Sequence, residues 1–166
     1  MNEARTPDEQ RAKLVELTKD ARVAFLTTRD EHGHLVSRPM ARQEVDLDAD
    51  LWFITERDSR KVQHIAAQPQ VGVTLGSSDS WVSISGVARV VDDTEKLREL
   101  WNQFTDAWLP EGPDSPNAVL IHVQADTAEY WSPPVGGRVA TLVSLVKSKV
   151  TGQRYDGGDN QVVTDL

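Results

Sequence analysis

Ser59, Arg60 and Lys61 close the stretch Thr55-Glu56-Arg57-Asp58-Ser59-Arg60-Lys61 and are the residues whose types and spacing most clearly suit binding chemistry. They follow a short β-favouring run, Leu51-Trp52-Phe53-Ile54-Thr55, and precede Val62, Ile65 and Ala66 at helical spacing before Pro69. That places them at a strand-to-helix turn where Asp58 or Ser59 can cap the helix. A helix start carries partial positive charge and unpaired N–H groups, so acids are favoured there and cations are not. Arg60 and Lys61 therefore cost stability unless an anion is bound. A phosphate dianion fits, held by the free N–H groups, the Ser59 hydroxyl and the two side chains. A solvated helix start, with Arg60 paired to a neighbouring acid, is the alternative that the local sequence leaves open.

Arg38 is the second candidate. In Ser37-Arg38-Pro39-Met40, strand alternation puts Arg38 on the face of Val36 and Met40, where a cation needs a partner. Pro39 removes a ladder donor, which leaves nearby backbone groups free for a planar heterocycle. An exposed arginine on an edge strand is the plain alternative. Of the five tryptophans, Trp52 and Trp81 sit in strands and read as core, and Trp101 and Trp108 lie on a helical stripe that suits packing or a subunit contact. Trp131 stands at a strand end beside Pro133-Pro134, where it covers a ligand or seals a barrel mouth.

Other chemistry is not written in the chain. There is no cysteine, which excludes disulfides and thiolate-held metals, and His32 and His34 flank Gly33 without the ligands to complete a metal site. His64 reads as lying on a polar helix face, and His122 faces away from Val119, Ile121 and Val123. Ser83 and Ser85 lack a nucleophile-elbow setting, and no Gly-rich dinucleotide or P-loop fingerprint occurs. No residue is assigned a catalytic role.

The elements that must position these residues are mostly strands. Thr6, Pro7 and Glu9 form a capping box for a helix within residues 1–20, with Leu14, Val15 and Leu17 on its buried side. Extended segments at 22–28 and 34–45 flank the turn Asp30-Glu31-His32-Gly33 and form a hairpin. Strands follow at 51–55, at Val71, Val73 and Leu75, and at 81–91, where Gly86 implies a bulge or sharp bend. One helix from Asp92-Asp93 carries Leu97, Leu100, Trp101, Phe104 and Trp108 along one face. Further strands are expected at Val119-Val123 spacing and at Glu129-Tyr130-Trp131, then a helix over 138–150 and a short strand at 161–163. Many short strands without regular βαβ alternation favour a closed antiparallel barrel with outlying helices, in a single domain spanning 1–166.

With 166 residues, 39% of them hydrophobic, the chain is long enough to bury a core without staples. Its 18 Lys+Arg against 26 Asp+Glu give a net charge of −8, which argues against nucleic acid or an anionic membrane as partner. An anionic ligand must therefore find a local basic pocket. The N-terminus lacks a signal-peptide core and no run is long enough to span a membrane, so a cytoplasmic protein is expected.

The order of motifs then becomes specific: Ser37-Arg38-Pro39-Met40, Trp52-Phe53-Ile54-Thr55, Ser59-Arg60-Lys61-Val62, Pro69-Gln70-Val71, Gly86 ahead of an acidic helix start, Leu100-Trp101, Leu109-Pro110-Glu111-Gly112 and Glu129-Tyr130-Trp131. From Thr6 to the 160–166 segment the chain resembles the general stress protein branch of the pyridoxamine 5′-phosphate oxidase-like family. The resemblance implies a mainly β fold with flanking α-helices, a six-stranded antiparallel Greek-key split β-barrel. It also implies a homodimer with FMN in two clefts at the subunit interface. Arg38, Pro39 and Met40 would line the isoalloxazine and ribityl chain, Phe53, Ile54 and Thr55 would lie beside the ring, and Ser59, Arg60 and Lys61 would hold the phosphate. Trp131 would reach the flavin from the partner subunit. The C-terminal 138–166 region, with its acidic Gly-rich 152–159 segment, lacks the Arg and His pair that vitamin B6 oxidation uses, so the resemblance implies flavin chemistry on another small molecule. A non-catalytic flavin-sequestering stress protein is the competing class. The deazaflavin F420 is disfavoured, because its longer anionic tail calls for more cations than this cluster offers.

Overall fold

The computed structural model describes residues 6–19, 21–43, 50–77, 79–132 and 159–164. α1 (Pro7–Thr18) is capped as its sequence predicts: Thr6 accepts from Glu9 N at 3.3 Å, and Glu9 Oε2 accepts from Thr6 N at 2.8 Å. Leu14 faces the core, whereas Val15 turns outward and Thr18 takes the inward place, donating to Leu14 O at 2.9 Å. β1 (Val23–Arg29) and β2 (Leu35–Ala41) form the expected hairpin. Gly33, at φ 83°, turns the chain while Asp30 Oδ1 accepts from His32 N and His34 N.

β3 (Asp50–Glu56) leads into α2 (Arg60–Ala67), followed by β4 (Gln70–Gly76) and β5 (Trp81–Val91). α3 (Thr94–Leu100) and α4 (Gln103–Trp108) precede β6 (Ala118–Ser132) and β7 (Asp159–Thr164). All pairings are antiparallel, in the order β2-β1-β4-β5-β6-β3, with β7 added to β6 as a seventh strand. β4, β5 and β6 are consecutive neighbours and β3 lies beside β6, which is a Greek-key arrangement. The two ends of the order approach each other where Gln43 N donates to Trp52 O at 3.4 Å, so the sheet rolls into a barrel. The register of β5 against β6 shifts between Ser85 and Gly86, as the glycine suggests, and a Cβ at Gly86 would overlap the Gln124 carbonyl.

The barrel interior holds Leu26, Leu51, Phe53, Val73, Leu75, Val82, Ile121, Val123 and Tyr130, all nearly or fully buried. Burying each large apolar side chain contributes about 1.5–3 kcal/mol. A second cluster lies outside, where Leu97 and Leu100 of α3 cover Trp52, Ile54 and Leu120.

Besides Val15, three expectations need correction. The single helix over 97–108 is two, because Asn102 accepts from Phe104 N at 3.0 Å and Thr105 N at 3.2 Å and so caps a new helix in the middle of the apolar stripe. Its stripe is therefore broken: Trp101 packs at the rim of the outer cluster, while Phe104 and Trp108 are exposed. The strands expected around Val119 and Glu129 are one strand, β6, since the chain between them continues the ladder with β5 past the bulge. Trp81 is exposed rather than core; it lies on the outer face of the sheet, directly opposite Trp131. The helix expected over 138–150 lies outside the described residues, whereas β7 includes the short strand expected at 161–163. No helix among the described residues is long and apolar enough to cross a membrane.

Candidate functional site

β3 delivers the chain to the start of α2, and residues 57–59 turn it. Arg57 fastens this turn: its guanidinium pairs with Asp92 and donates to Pro116 O at 3.0 Å, while Asn117 Oδ1 accepts from Asp58 N at 3.4 Å. Asp92 is therefore committed to Arg57. Ser59 takes the N-cap position at φ −69°, ψ 148°, yet its hydroxyl makes no cap bond. Its Oγ is buried and has no hydrogen-bond partner among the described residues. Leaving such a group unsatisfied costs about 1–3 kcal/mol, a cost that an accepting ligand oxygen removes.

The first turn of α2 contains no acid and holds Arg60 and Lys61. Among the described residues neither forms a salt bridge, so the reading in which Arg60 pairs with a neighbouring acid is not what the fold builds. Arg38 joins them from β2. It stands opposite Leu26 of β1, on the inner side with Val36 and Met40, and is half-buried. Its Nη1 donates to Leu26 O at 3.2 Å and to Thr28 Oγ1 at 2.8 Å. Nη1 has only two N–H bonds, so Nε and Nη2 are the edge left for a ligand.

Electrostatics link the three cations, Arg38 sensing Arg60 and Lys61 sensing Arg38. Burial, then the charge of Arg60, lowers the Arg38 pKa from its ordinary value. Burial, then the charge of Arg38, lowers that of Lys61, with Glu56 pulling in the other direction. In a chain of net charge −8 this is a concentrated positive site at a helix start. It supplies positive charge and hydrogen-bond donors of the kind an anion requires.

The remaining sequence candidates are distributed differently. Met40 is buried in the core beside Arg38, and Phe53 and Thr55 point into the barrel, Phe53 with no exposed surface. Phe53 therefore presents no surface to a ligand in this chain. Ile54 faces the opposite way, into the cluster beneath α3. Pro39 is on the outer face opposite Phe25, and Trp131 is there opposite Trp81. Two residues with a part in this site were missed. Thr28 is buried behind Arg38, and its Oγ1 lies 2.9 Å from Nδ1 of His64, which is buried on α2 rather than on a polar face. The inward alternation Ala24, Leu26, Thr28 contains the signal for Thr28; for His64, only the packing of α2 on β1 reveals it.

Comparison with known proteins agrees with this architecture. The family described as pyridoxamine 5′-phosphate oxidase like matches residues 9–156. Protein bli-3 of Neurospora crassa is 29% identical over 144 residues, covering 78% of this chain and 68% of that protein. A crystal structure described as general stress protein 26 from Jannaschia sp. CCS1 superposes with a TM-score of 0.77 at 24% identity, over 95% of this chain and 99% of the other. The general stress FMN/FAD binding protein from Xanthomonas citri is 31% identical with a TM-score of 0.64, over 75% of this chain and 89% of that one.

Proposed function

This chain belongs to the pyridoxamine 5′-phosphate oxidase-like family, and from that premise we propose that it binds FMN and works, as a cytoplasmic homodimer, as a flavin-dependent oxidoreductase on a small molecule. The observation that carries the reading is the cluster of Arg38, Arg60 and Lys61, none of them in a salt bridge among the described residues, beside the unpartnered Ser59 hydroxyl. A phosphate monoester answers each of these requirements: it brings two negative charges, accepts from Ser59 Oγ and the first-turn N–H groups, and takes the free edge of Arg38. The similarity to the FMN/FAD binding protein of Xanthomonas citri supports flavin as the rest of the ligand. When bound, the isoalloxazine supplies hydride or electron transfer. The chain's own residues bind and orient it.

The homodimer has support from the outer face of the sheet, where cross-strand pairing aligns Phe25, Thr74, Ser83, Glu129 and Val162 in one row. Phe25 and Val162 at its ends are exposed, and the exposed pair Trp81–Trp131 lies next to it on the same face. Exposed Phe25, Val162, Trp81 and Trp131 on one face suit a contact with another protein. A second copy covering it would bring Trp131 toward an interface.

Purified protein should show a flavin absorbance spectrum, with FMN recovered on denaturation. FMN should bind at least about tenfold more tightly than riboflavin, the value of losing one charge-assisted contact. Equal affinity would sink the phosphate assignment. Reduction of the bound flavin by NADH or NADPH, with turnover on an added acceptor, supports the oxidoreductase; flavin bound without turnover identifies a flavin-holding protein instead. Sedimentation should show a dimer, and a monomer with undiminished FMN affinity would contradict the interface.

A further inference from the structure

Behind the cation cluster is a buried polar chain that the anion reading does not by itself require. Thr28 is 1% exposed and His64 is 5% exposed, in surroundings where a polar group persists only when hydrogen-bonded. Thr28 Oγ1 accepts from Arg38 Nη1 at 2.8 Å and is 2.9 Å from His64 Nδ1. With no other acceptor for the threonine proton among the described residues, the hydroxyl donates to Nδ1. His64 is then the neutral tautomer with its proton on Nε2. The three residues lie on β2, β1 and α2, so this chain of hydrogen bonds ties the strand that carries Arg38 to the helix that carries Ser59, Arg60 and Lys61.

The tie has a physical purpose. Arg38, Arg60 and Lys61 repel one another, and an arginine side chain free to rotate would swing away from the other two. Occupying both N–H bonds of Nη1, with Leu26 O and Thr28 Oγ1, fixes the plane of the guanidinium and leaves the Nε–Nη2 edge open. We infer that Thr28 and His64 are positioning residues, which hold the Arg38 guanidinium against its electrostatic repulsion from the α2 cations so that it meets a phosphate ready-oriented. This rests on the phosphate reading of the cluster.

Titration of FMN and riboflavin, followed by flavin fluorescence, tests it in wild type, Thr28→Val, Thr28→Ser, Arg38→Ala and the Thr28→Val/Arg38→Ala pair. Thr28→Val keeps the shape of the side chain and removes the hydroxyl. It should weaken FMN about tenfold and leave riboflavin unchanged, with Thr28→Ser restoring FMN affinity. In the Arg38→Ala background Thr28→Val should change FMN affinity no further, because the residue to be positioned is gone. His64→Leu should reproduce the selective loss; if that variant does not fold, the threonine variants decide. Equal weakening of both flavins by Thr28→Val, or an undiminished effect without Arg38, would overturn the positioning role. If wild type prefers FMN and Arg38→Ala abolishes that preference while Thr28→Val does not, the positioning role alone is overturned. If wild type shows no preference, the phosphate reading falls and takes the role with it. Ring ¹⁵N spectra give a readout that needs no flavin: the His64 proton belongs on Nε2, and a proton on Nδ1 overturns the hydrogen-bond order.

Discussion

At the start of α1, Thr6 and Glu9 satisfy each other's backbone N–H groups, and Asp8 and Glu9 set negative charge in the first turn. At the start of α2 the N-cap is again a hydroxyl residue, but Ser59 makes no cap bond, the turn has no acid, and it holds Arg60 and Lys61. Both helices face the same electrostatic problem of four unpaired N–H groups and a positive dipole end. α1 solves it within its own sequence. α2 leaves it unsolved and adds two cations, with a third brought from β2. A helix start whose cap hydroxyl goes unused, which has no acid and which carries two cations is what the proposed anion would complete.

Making the start of α2 resemble that of α1 should have the largest effect. Ser59→Asp introduces a cap acceptor and a negative charge among three cations, and should stabilise the apoprotein by about 1 kcal/mol. The same carboxylate occupies the phosphate's place, so FMN affinity should fall about a hundredfold or more. Calorimetric melting and a flavin titration on the one variant check both; retained FMN affinity would mean that the two helix starts do not differ in function.

Next come the cations themselves. Arg38→Ala removes the anchor and leaves the Thr28 hydroxyl without its donor, so FMN affinity should drop about 10- to 100-fold and the apoprotein should lose stability. Lys61→Ala should weaken FMN about tenfold yet leave the apoprotein as stable or more so, because it relieves repulsion at an unfavourable position. Should Lys61→Ala instead destabilise the apoprotein more than Arg38→Ala, with FMN affinity untouched in both, the cluster is structural.

The mirror-image variant acts on α1. Thr6→Ala should cost about 1 kcal/mol of stability and leave FMN affinity unchanged. A loss of flavin affinity there would erase the contrast between a self-completed helix start and a ligand-completed one.

The smallest effect is a proton linkage. The Lys61 pKa in the fold lies below its ordinary value, so between the two the unfolded chain binds more protons and apoprotein stability rises with pH across that window. A phosphate beside Lys61 favours its charged form and raises that pKa again. Binding should therefore take up protons in the window and weaken as pH rises through it. Titration calorimetry in buffers of different ionisation enthalpy measures the uptake, which Lys61→Ala should abolish.

Much of this molecule was legible along the chain because its signals are local. The capping box at Thr6, the turn at Gly33, the bulge at Gly86 and the strand-to-helix turn at Ser59 are each set by residues within a few positions of one another. Local competition also explains one failure, since Asn102 captures two backbone N–H groups and divides a helix whose apolar spacing reads as continuous. For Trp81 alternation identifies a face but not which face is covered, and the outer side of the sheet is open there. The anion reading of Ser59, Arg60 and Lys61 came from residue types at a helix start. Only tertiary structure decided that Arg57 takes Asp92 away, that Arg38 approaches from a strand more than twenty residues earlier, and that Thr28 and His64 close behind it. Charge repulsion and buried hydrogen bonds act through space, and sequence neighbours alone do not show which distant groups the fold brings within their reach.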